Sequence, residues 1–302
     1  MQCIVCTSEH FSEFYKTNVT AKDLKRYQIT ENTPRFYGAM LKCRLCGVVS
    51  ITFDTPYLTK LLTNYKHSGQ DVVYIAEEQQ RRRTARNLLK KINTFFPDRK
   101  GKLLELGCYI GSFLFEAKCS GWEVYGIDLS HWAAREAQRR YNLSIHNGDA
   151  IQTLAQFSDH SFEVIVALDF IEHLPKPQEL IDLLHKKLKP GGLFIITTPD
   201  INSITARLFG KQWYAIVPSH LHYFSKSSIR YLLENGGFTI TQYKYHTRYF
   251  SLWYLGYRLS GFSFPLARFL GGIFNSEFFK KISIPINLFD ELEIYARKNE
   301  KK

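Results

Sequence analysis

The stretch from residue 103 to residue 128 constrains the fold more than any other part of the sequence. An apolar run, Leu103 to Leu106, leads into a turn that contains Gly107 and Gly111, and a second apolar run ends at Asp128. This order of strand, glycine-containing turn, helix and strand ending on an acid is typical of cofactor-binding α/β sheets. The stretch therefore predicts a Rossmann-like α/β fold with an open, mostly parallel sheet.

The same turn limits which cofactor can bind. A dinucleotide fingerprint needs glycine where the backbone meets the pyrophosphate, and Tyr109 occupies that position. The third fingerprint position is Ser112 instead of glycine. S-adenosylmethionine contains a ribose and an adenine but no phosphate, so it has no need of those glycines. The turn therefore favours S-adenosylmethionine over a dinucleotide.

Five motifs in a fixed order resemble class I S-adenosylmethionine-dependent methyltransferases. The first is Glu105-x-Gly107-x-x-x-Gly111, although the family often has glycine where Tyr109 stands. The other four are Asp128 at the end of the second strand, Asn147-Gly148-Asp149-Ala150 after the third, Asp169-Phe170-Ile171-Glu172-His173-Leu174 after the fourth, and Leu188-Lys189-Pro190-Gly191-Gly192 before the fifth. The resemblance, which also includes residues 220–225 and 232–238, covers about residues 80 to 245.

The resemblance implies a role for each matching residue. The methionine part of the cofactor would contact Glu105, Gly107, Cys108 and Gly111, and the ribose hydroxyls would bind Asp128, which Leu129 follows. Asp149 and Ala150 would face the adenine, and Asp169 would lie beside the methyl donor. Taken singly, the glycines also fit an ordinary strand-to-helix turn, and Asp128 also fits a helix cap.

Four of the six cysteines form two C-x-x-C pairs, Cys3 with Cys6 and Cys43 with Cys46. Two residues between thiolates let both reach one tetrahedral metal. In a chain that otherwise has the features of a cytosolic protein, such pairs favour a metal over disulfides. We therefore expect a structural Zn²⁺ in a zinc-ribbon-like module, with free thiols or a redox pair as the alternatives.

The pattern of apolar runs divides the chain into five parts. Strands are predicted near residues 102–107, 123–127, 143–147, 162–168, 192–198 and 237–244, with an antiparallel last strand near 291–296. The predicted parts are a zinc-ribbon-like module at 1–60, a helical linker at 61–97, the S-adenosylmethionine-binding domain at 98–246, an insertion at 247–288, and the last strand with a basic tail at 289–302.

The insertion at 247–288 combines many aromatic side chains with five basic residues against one acidic residue, Glu277. This content fits a lid, a homodimer contact, a pocket for a lipid-like or large anionic acceptor, or a membrane-surface element. The net charge of +12 implies anionic partners, but the dense cluster at Arg81–Arg83 also fits a solvated helix face. No signal peptide or membrane-spanning stretch is recognisable, so we expect a cytoplasmic protein, with peripheral membrane contact as an alternative.

Methyl transfer to a hydroxyl or an amine requires a group that removes the acceptor's proton. Histidine suits this task near neutral pH. His173 is our first choice, His222 the second, and His220 lies in the same predicted region. Glu172 and His173 also resemble the acid–histidine pair of ubiquinone O-methyltransferases, which implies a divalent metal. If Asp169 were the third ligand, another loop would have to help.

The expected function is S-adenosylmethionine-dependent methyl transfer to a small molecule, at oxygen or carbon of a sugar, a glycolipid or another polar metabolite. Sugar C-methyltransferases also carry a four-cysteine zinc module before the methyltransferase domain. An RNA methyltransferase is the alternative, but acids stand where base-nitrogen enzymes have Asn/Asp-Pro-Pro-Tyr/Phe, and they would repel phosphates. A non-catalytic cofactor-binding scaffold is the third possibility.

Overall fold

A computed structural model describes residues 2–16, 39–67, 71–97, 100–260, 274 and 276–299. The centre of the predicted insertion, 261–273, and the basic tail at 300–302 lie outside the described residues. The strands are β1 (Phe11–Tyr15), β2 (Met40–Cys43), β3 (Val49–Ile51), β4 (Lys102–Leu106), β5 (Glu123–Asp128), β6 (Ile145–Asn147), β7 (Phe162–Leu168), β8 (Leu188–Pro199), β9 (His222–Tyr223), β10 (Phe238–Tyr245), β11 (Arg248–Ser251), β12 (Ser283–Ile286) and β13 (Glu291–Lys298).

Eleven α-helices occur in the described part of the chain. They are α1 (Thr55–Lys66), α2 (Val72–Ala76), α3 (Glu78–Thr94), α4 (Ser112–Cys119), α5 (His131–Tyr141), α6 (Ala150–Ala155), α7 (Pro177–Lys187), α8 (Ile204–Phe209), α9 (Lys226–Asn235), α10 (Leu252–Ser260) and α11 (Glu277–Lys281). Short 3-10 helices span Ile171–His173 and Gly210–Gln212. No helix among the described residues is both long and apolar enough to cross a bilayer.

The main sheet has seven strands in the order β10-β13-β8-β7-β4-β5-β6. Strands β4 to β8 pair in parallel, and β13 pairs antiparallel with both β8 and β10. The fold class and the antiparallel last strand are thus confirmed. The central strands are apolar on both faces because helices cover both sides of the sheet, as the buried run Val164–Ala167 illustrates.

The two faces of the sheet form separate cores. Leu103 faces the core built with α3, α4 and α5, whereas Leu104 faces the core built with α6, α7 and α9. This alternation is the period-two pattern of a strand covered on both sides. It leaves the carboxyl ends of β4, β5 and β7 together at one edge, where open α/β sheets bind ligands.

The N-terminal segment forms a second sheet that is not independent of the first. Its strand order is β1-β2-β3-β9, and β9 comes from the chain after β8, about 170 residues beyond β3. Val49 pairs with Tyr223 and Ser50 with His222. A third core of buried apolar side chains joins β2, β3 and α1 to residues 201–223. The cysteine-bearing module and the main domain therefore share both a sheet and a core.

The described ends of the insertion form a hairpin, in which β11 pairs antiparallel with β12. The hairpin lies against α3: the backbone N–H of Tyr249 donates to Thr84 Oγ1 at 2.9 Å. The side chain of Ser251 donates to the buried carboxylate of Glu77, and its backbone N–H donates to the same group at 2.9 Å. The insertion and the predicted linker are thus packed together above the sheet edge.

Candidate active site

The turn after β4 contains three residues with positive φ: Gly107 at 67°, Tyr109 at 46° and Gly111 at 76°. A side chain at Tyr109 in this left-handed conformation costs about 1–2 kcal/mol, which explains why glycine suits the position. The backbone N–H of Tyr109 donates to Asp128 Oδ2 at 2.7 Å, and this bond helps to hold the turn. Tyr109 therefore adopts the left-handed conformation that glycine takes most readily.

The ring of Tyr109 forms an aromatic cluster that closes one side of the turn. It meets Tyr74 of α2 edge-on, with 4.4 Å between ring centroids, and its centroid lies 5.7 Å from that of Trp132. Its hydroxyl accepts a hydrogen bond from the backbone N–H of Asp71 at 3.4 Å. The cluster attaches α2 to the turn, a connection that glycine could not provide.

One pocket lies between this turn, the end of β7, helices α2 and α3, and the hairpin. Four of the predicted cofactor residues line it: Glu105, Gly107, Cys108 and Asp169. The other lining residues include Tyr74, Arg81, Ser112, Thr197, His246, Arg248, Tyr249, Phe250 and Tyr254. The pocket thus brings the first motif, the residue after β7 and the insertion to one place.

Glu105 is the acid at the base of this pocket. It is buried, and burial, with a contribution from Asp128, raises the pKa of its carboxyl well above the usual value. Its Oε2 atom has no hydrogen-bond partner among the described residues, and neither has the hydroxyl of Ser112, which lines the same pocket. A buried acceptor without a partner is costly, and an ammonium group would satisfy it. The methionine part of S-adenosylmethionine therefore fits these residues.

The predicted ribose and adenine residues are not among those that line the pocket. Asp128 accepts from the backbone N–H groups of Tyr109 and Ser130, and burial raises the pKa of its carboxyl. Leu129 follows it directly, and the Asp149 carboxylate caps α6, which begins at Ala150, through two bonds of 3.0 Å. A carboxylate has about four acceptor sites, so these structural bonds leave room for a ligand hydroxyl.

Asp169 is paired with a cation that the motif analysis did not identify. Its backbone has a φ of 50°, and its carboxylate bonds to the guanidinium of Arg248, which also bonds to Glu291. Burial opposes ionisation, but Arg248 and His246 outweigh it and hold the pKa of Asp169 below its usual value. Burial raises the pKa of Glu291 to about 7. Asp169 is therefore a fixed anion and a poor proton acceptor.

A second ionic group is centred on Glu293 of β13, the strand that also carries Glu291. The sequence did not reveal this group either. Glu293 is fully buried on β13 and bonds to His246 Nδ1 at 2.7 Å, Lys91 at 2.7 Å and the Tyr295 hydroxyl at 2.6 Å. Burial alone would raise the pKa of Glu293, but His246 and Lys91 lower it to about 2. Glu291 and Glu293 occupy alternate positions of a strand inside the sheet, which is unusual for acids. This feature of the sequence could have revealed the ionic group.

None of the three predicted histidines lines the pocket; the rings of His173 and His220 lie 4.8 Å apart between centroids, whereas His222 is bonded to Ser50. His173 Nδ1 lies 2.8 Å from the Ser219 carbonyl, which can only accept, so Nδ1 must carry the proton. Neutral His173 therefore has its lone pair on Nε2. Burial lowers its pKa, although the Ser219 carbonyl opposes the shift.

The other two histidines are more restricted. Burial, with repulsion from His173, lowers the pKa of His220 to about 3. His222 is only 1% exposed, its Nδ1 lies 2.9 Å from Ser50 Oγ, and burial lowers its pKa to about 4. These contacts give His222 a structural role between β3 and β9 of the second sheet and leave His173 as the most suitable of the three for proton transfer.

Glu172 joins two of these histidines in a compact cluster. Donor atoms of Glu172, His173 and His220 lie within 4.8 Å of one another. Burial and the negative charge of Asp169 raise the pKa of Glu172 well above its usual value, and its Oε1 atom has no hydrogen-bond partner among the described residues. The third donor thus comes from the loop before β9, whereas Asp169 is engaged by Arg248. The cluster has donors of the kind that bind a divalent cation.

The four predicted metal ligands of the N-terminal module converge. Sγ atoms of Cys3 and Cys46 are 3.5 Å apart, as are those of Cys6 and Cys43, and all four lie within 4.8 Å of one another. Four thiolates about 2.3 Å from a tetrahedral zinc would have comparable separations. Gly47, with a φ of 81°, completes the second of the two matching turns. The residues therefore fit a structural zinc.

The dense basic cluster on α3 is largely engaged inside the molecule. Arg82 and Arg86 pair with Glu116 at 2.6 and 3.5 Å. The Arg81 guanidinium lies 3.4 Å from the centroid of the Tyr74 ring. Lys91 pairs with Glu293, as described above. Arg86 and Lys90 nevertheless remain exposed on this helix, so part of the cluster forms the predicted solvated face.

Comparison with known proteins agrees with this geometry. A family profile described as "Methyltransferase domain" matches residues 77–243, more than half of the chain. A ubiquinone biosynthesis O-methyltransferase from Idiomarina loihiensis is 35% identical over 106 residues, which are 33% of this chain and 43% of that protein. A phosphoethanolamine N-methyltransferase 2 from Caenorhabditis elegans is 30% identical over 121 residues, 36% and 26% of the respective chains.

These alignments are partial: the chain spans between 26% and 58% of the curated relatives it matches. Among solved structures, an S-adenosylmethionine-dependent methyltransferase from Archaeoglobus fulgidus superposes with a TM-score of 0.52 at 22% identity. The superposition covers 76% of this chain and all of that one, which supports the fold. The chain therefore belongs to the methyltransferase domain family and has the fold of a class I S-adenosylmethionine-dependent methyltransferase.

Proposed function

We propose that the protein transfers a methyl group from S-adenosylmethionine to oxygen or carbon of a small polar acceptor, such as a sugar, a glycolipid or another polar metabolite. The observation that carries the proposal is the shared pocket. Glu105 and the Gly107 turn form one wall, Asp169 stands at the end of β7, and the insertion forms the opposite wall. A pocket with a cofactor wall and a separate second wall is what a two-substrate transfer requires.

The predicted cofactor residues would each bind a different part of S-adenosylmethionine. The cofactor, when bound, supplies an electrophilic methyl group on a sulfonium. Glu105 would accept hydrogen bonds from its ammonium group, and Arg81, which lines the pocket, would face its carboxylate. Asp128 would accept from the ribose hydroxyls, and Asp149 with Ala150 would border the adenine. The aromatic residues of the second wall, Tyr249, Phe250 and Tyr254, would exclude water from the reacting groups.

His173 is the residue that we assign as the proton acceptor. Its Nδ1–H bond to Ser219 fixes the tautomer, so that Nε2 presents a lone pair. Asp169 is a poor base because Arg248 holds its charge, and the low pKa of His220 makes that ring a weaker base. The assignment leaves Asp169 as an electrostatic partner of the site, oriented by Arg248 and Glu291.

The cluster of Glu172, His173 and His220 supports an alternative role for His173, which is to bind a divalent cation instead of accepting a proton. A divalent cation bound there would use the same Nε2 lone pair and would polarise two neighbouring acceptor oxygens. The two roles are separable by adding Mg²⁺ or Mn²⁺ to the assay. Base catalysis by His173 predicts no dependence on the added ion, whereas a bound cation predicts saturable activation and an acceptor with adjacent hydroxyls.

The test is the release of S-adenosylhomocysteine by purified, zinc-loaded protein incubated with S-adenosylmethionine and pools of candidate acceptors. The pools are nucleotide sugars, glycolipids, catechols and total RNA, and a sample without acceptor is the control. Release with a small-molecule pool supports the proposal. Release with RNA alone would support the RNA methyltransferase alternative. Tight cofactor binding without release from any pool would leave the scaffold alternative.

A further inference from the structure

Helix α8 exposes the kind of side chains that a helix normally buries. Ile204, Leu208 and Phe209 are 71%, 76% and 59% exposed, and Ala206 is the one buried residue of the helix. The helix is nevertheless well anchored, because Ser203 caps its first turn with a bond to Ala206 N of 3.1 Å. Apolar side chains held in solvent by a fixed backbone indicate a contact surface.

The turn between β12 and β13 shows the same feature. Leu288 and Phe289 are 51% and 62% exposed. Phe289 has a φ of 54°, a conformation that bulky residues rarely adopt, and the Asn287 side chain accepts from its backbone N–H at 2.9 Å. The backbone strain and the bond that maintains it keep an aromatic ring in solvent. Such outliers concentrate at functional surfaces.

The two segments are joined by one buried carboxylate. Asp290 accepts from Thr205 Oγ1 of α8 at 2.8 Å and from the Tyr214 hydroxyl at 2.9 Å. Tyr214 is itself 43% exposed. These bonds bring the two segments together, and we call their exposed residues the apolar patch, which consists of Ile204, Leu208, Phe209, Tyr214, Leu288 and Phe289.

The exposed charges of the two segments are basic. Arg207 and Lys211 are exposed beside the α8 residues. On the other side, Lys226 lies 4.5 Å from the centroid of the Tyr245 ring, which meets Phe289 edge-on. The acids of the two segments, Asp200 and Asp290, are 4% and 3% exposed. The surface therefore presents apolar and cationic groups without an exposed anion from these segments.

We propose that the apolar patch docks the protein on the surface of an anionic lipid bilayer. Apolar side chains that enter the interface, surrounded by cations that meet lipid phosphates, are the combination that binds such surfaces. A second copy of the chain would bring like charges together across the contact, which disfavours a symmetric dimer through this face. The patch lies mainly at residues 204–214, outside the insertion for which the sequence suggested membrane contact.

Docking through this face also positions the pocket. Glu291, the residue after Asp290, bonds to Arg248 in the pocket wall. The patch is thus one residue from the network that holds Asp169. An acceptor carried in the bilayer would reach the pocket without the protein leaving the membrane. The docking itself depends on neither the cofactor nor the acceptor, so its test is independent of the proposed function.

The test is sedimentation of the zinc-loaded protein with phosphatidylcholine vesicles that either contain or lack phosphatidylglycerol. Wild type should bind the anionic vesicles and bind pure phosphatidylcholine weakly. The triple variant Leu208→Ser/Phe209→Ser/Phe289→Ser should bind at least about tenfold more weakly. Arg207→Ser/Lys211→Ser should lose about fivefold per cation at low salt. The matched control, Leu62→Ser/Val72→Ser, removes two exposed apolar side chains elsewhere and should bind normally.

Zinc content and thermal melting establish that each variant is folded. Equal sedimentation of wild type with and without phosphatidylglycerol vesicles, or normal binding by the folded triple variant, would overturn the proposal. Light scattering measures the oligomeric state and tests whether the apolar patch is instead a contact between copies of the chain. If the triple variant converts a wild-type dimer to a monomer without changing vesicle binding, the apolar patch is a contact between copies and the proposal is wrong.

Discussion

The cofactor wall and the acceptor side of the site are built in different ways. On the cofactor wall, Glu105, Gly107 and Asp128 lie within 24 positions of one another and belong to consecutive elements of one sheet. On the acceptor side, the His222–Ser50 bond joins residues 172 positions apart, and the Arg248–Asp169 pair spans 79. The first half is a local structure, whereas the second exists only when distant segments have folded together.

This difference makes the N-terminal module part of the acceptor side. Strand β3 pairs with β9, and the Tyr57 hydroxyl of α1 donates to the Pro218 carbonyl. The Tyr65 hydroxyl, also on α1, lies 3.3 Å from His173 Nδ1. The loop that carries Ser219 and His220 is thus held from the module. We therefore expect damage to the module to reduce turnover more than it reduces cofactor binding.

The largest effect should come from removing the metal. Cys43→Ser should reduce the zinc content from about one ion per chain towards none, because a structural site needs all four ligands. The module should unfold, turnover should be lost, and the affinity for S-adenosylmethionine should largely survive. Metal analysis, calorimetry and the release assay measure the three quantities. Cys119→Ser, at an exposed cysteine outside the cluster, is the control and should keep all three.

The next effect concerns His173. His173→Ala should lower turnover by about 10²–10⁴-fold with little change in cofactor affinity, as expected for loss of a general base. Burial lowers the pKa of His173 below the usual histidine value of 6.5. The neutral imidazole therefore predominates at pH 6.5 and is lost only at a lower pH. The acid limb of the rate profile should therefore lie below pH 6.5.

His173→Ala should lose the acid limb of the rate profile. His10→Ala, at an exposed position of the module, should leave both rate and profile unchanged. Near-normal turnover by His173→Ala would assign the proton elsewhere, or show that the acceptor ionises unaided.

A smaller effect is expected on the cofactor wall. Asp128→Asn should weaken S-adenosylmethionine binding by about 1.5–3 kcal/mol, the range for hydrogen bonds to a charged group. Asp128 also holds the turn through Tyr109 and Ser130, so thermal melting must accompany the titration. Asp54→Asn, a similar exchange at the cap of α1, should leave the affinity unchanged. Equal affinities for the two variants would reject the assignment of Asp128.

The smallest effect tests the link between the halves. Tyr57→Phe removes the hydroxyl that donates to the Pro218 carbonyl and should lower the free energy of unfolding by about 1–3 kcal/mol. Turnover should fall several-fold while cofactor affinity stays constant. Tyr141→Phe is the matched control, because the buried Tyr141 hydroxyl has no hydrogen-bond partner among the described residues. A loss of cofactor affinity in Tyr57→Phe would contradict the separation of the two halves.

The sequence predicted the sheet because each strand carries its own apolar pattern, as Val164–Ala167 shows, and because β13 was recognisable as a final strand. It predicted that the four cysteines converge, because their spacing reports a shared metal. It did not predict Arg248 against Asp169, or β9 beside β3. Those contacts depend on where two remote segments meet, which periodicity does not encode. Tyr109 is intermediate: the motif exposed the substitution, and only the structure showed the bond to Asp128.

Cofactor binding is tested most directly by a calorimetric titration of S-adenosylmethionine into the wild-type protein without any acceptor. We predict saturable binding of one molecule per chain, because Glu105, the Gly107 turn and Asp128 form the cofactor wall without help from the acceptor side. Cys43→Ser should retain this binding. Absence of saturable binding by folded, zinc-loaded wild type would contradict the assignment of the cofactor wall.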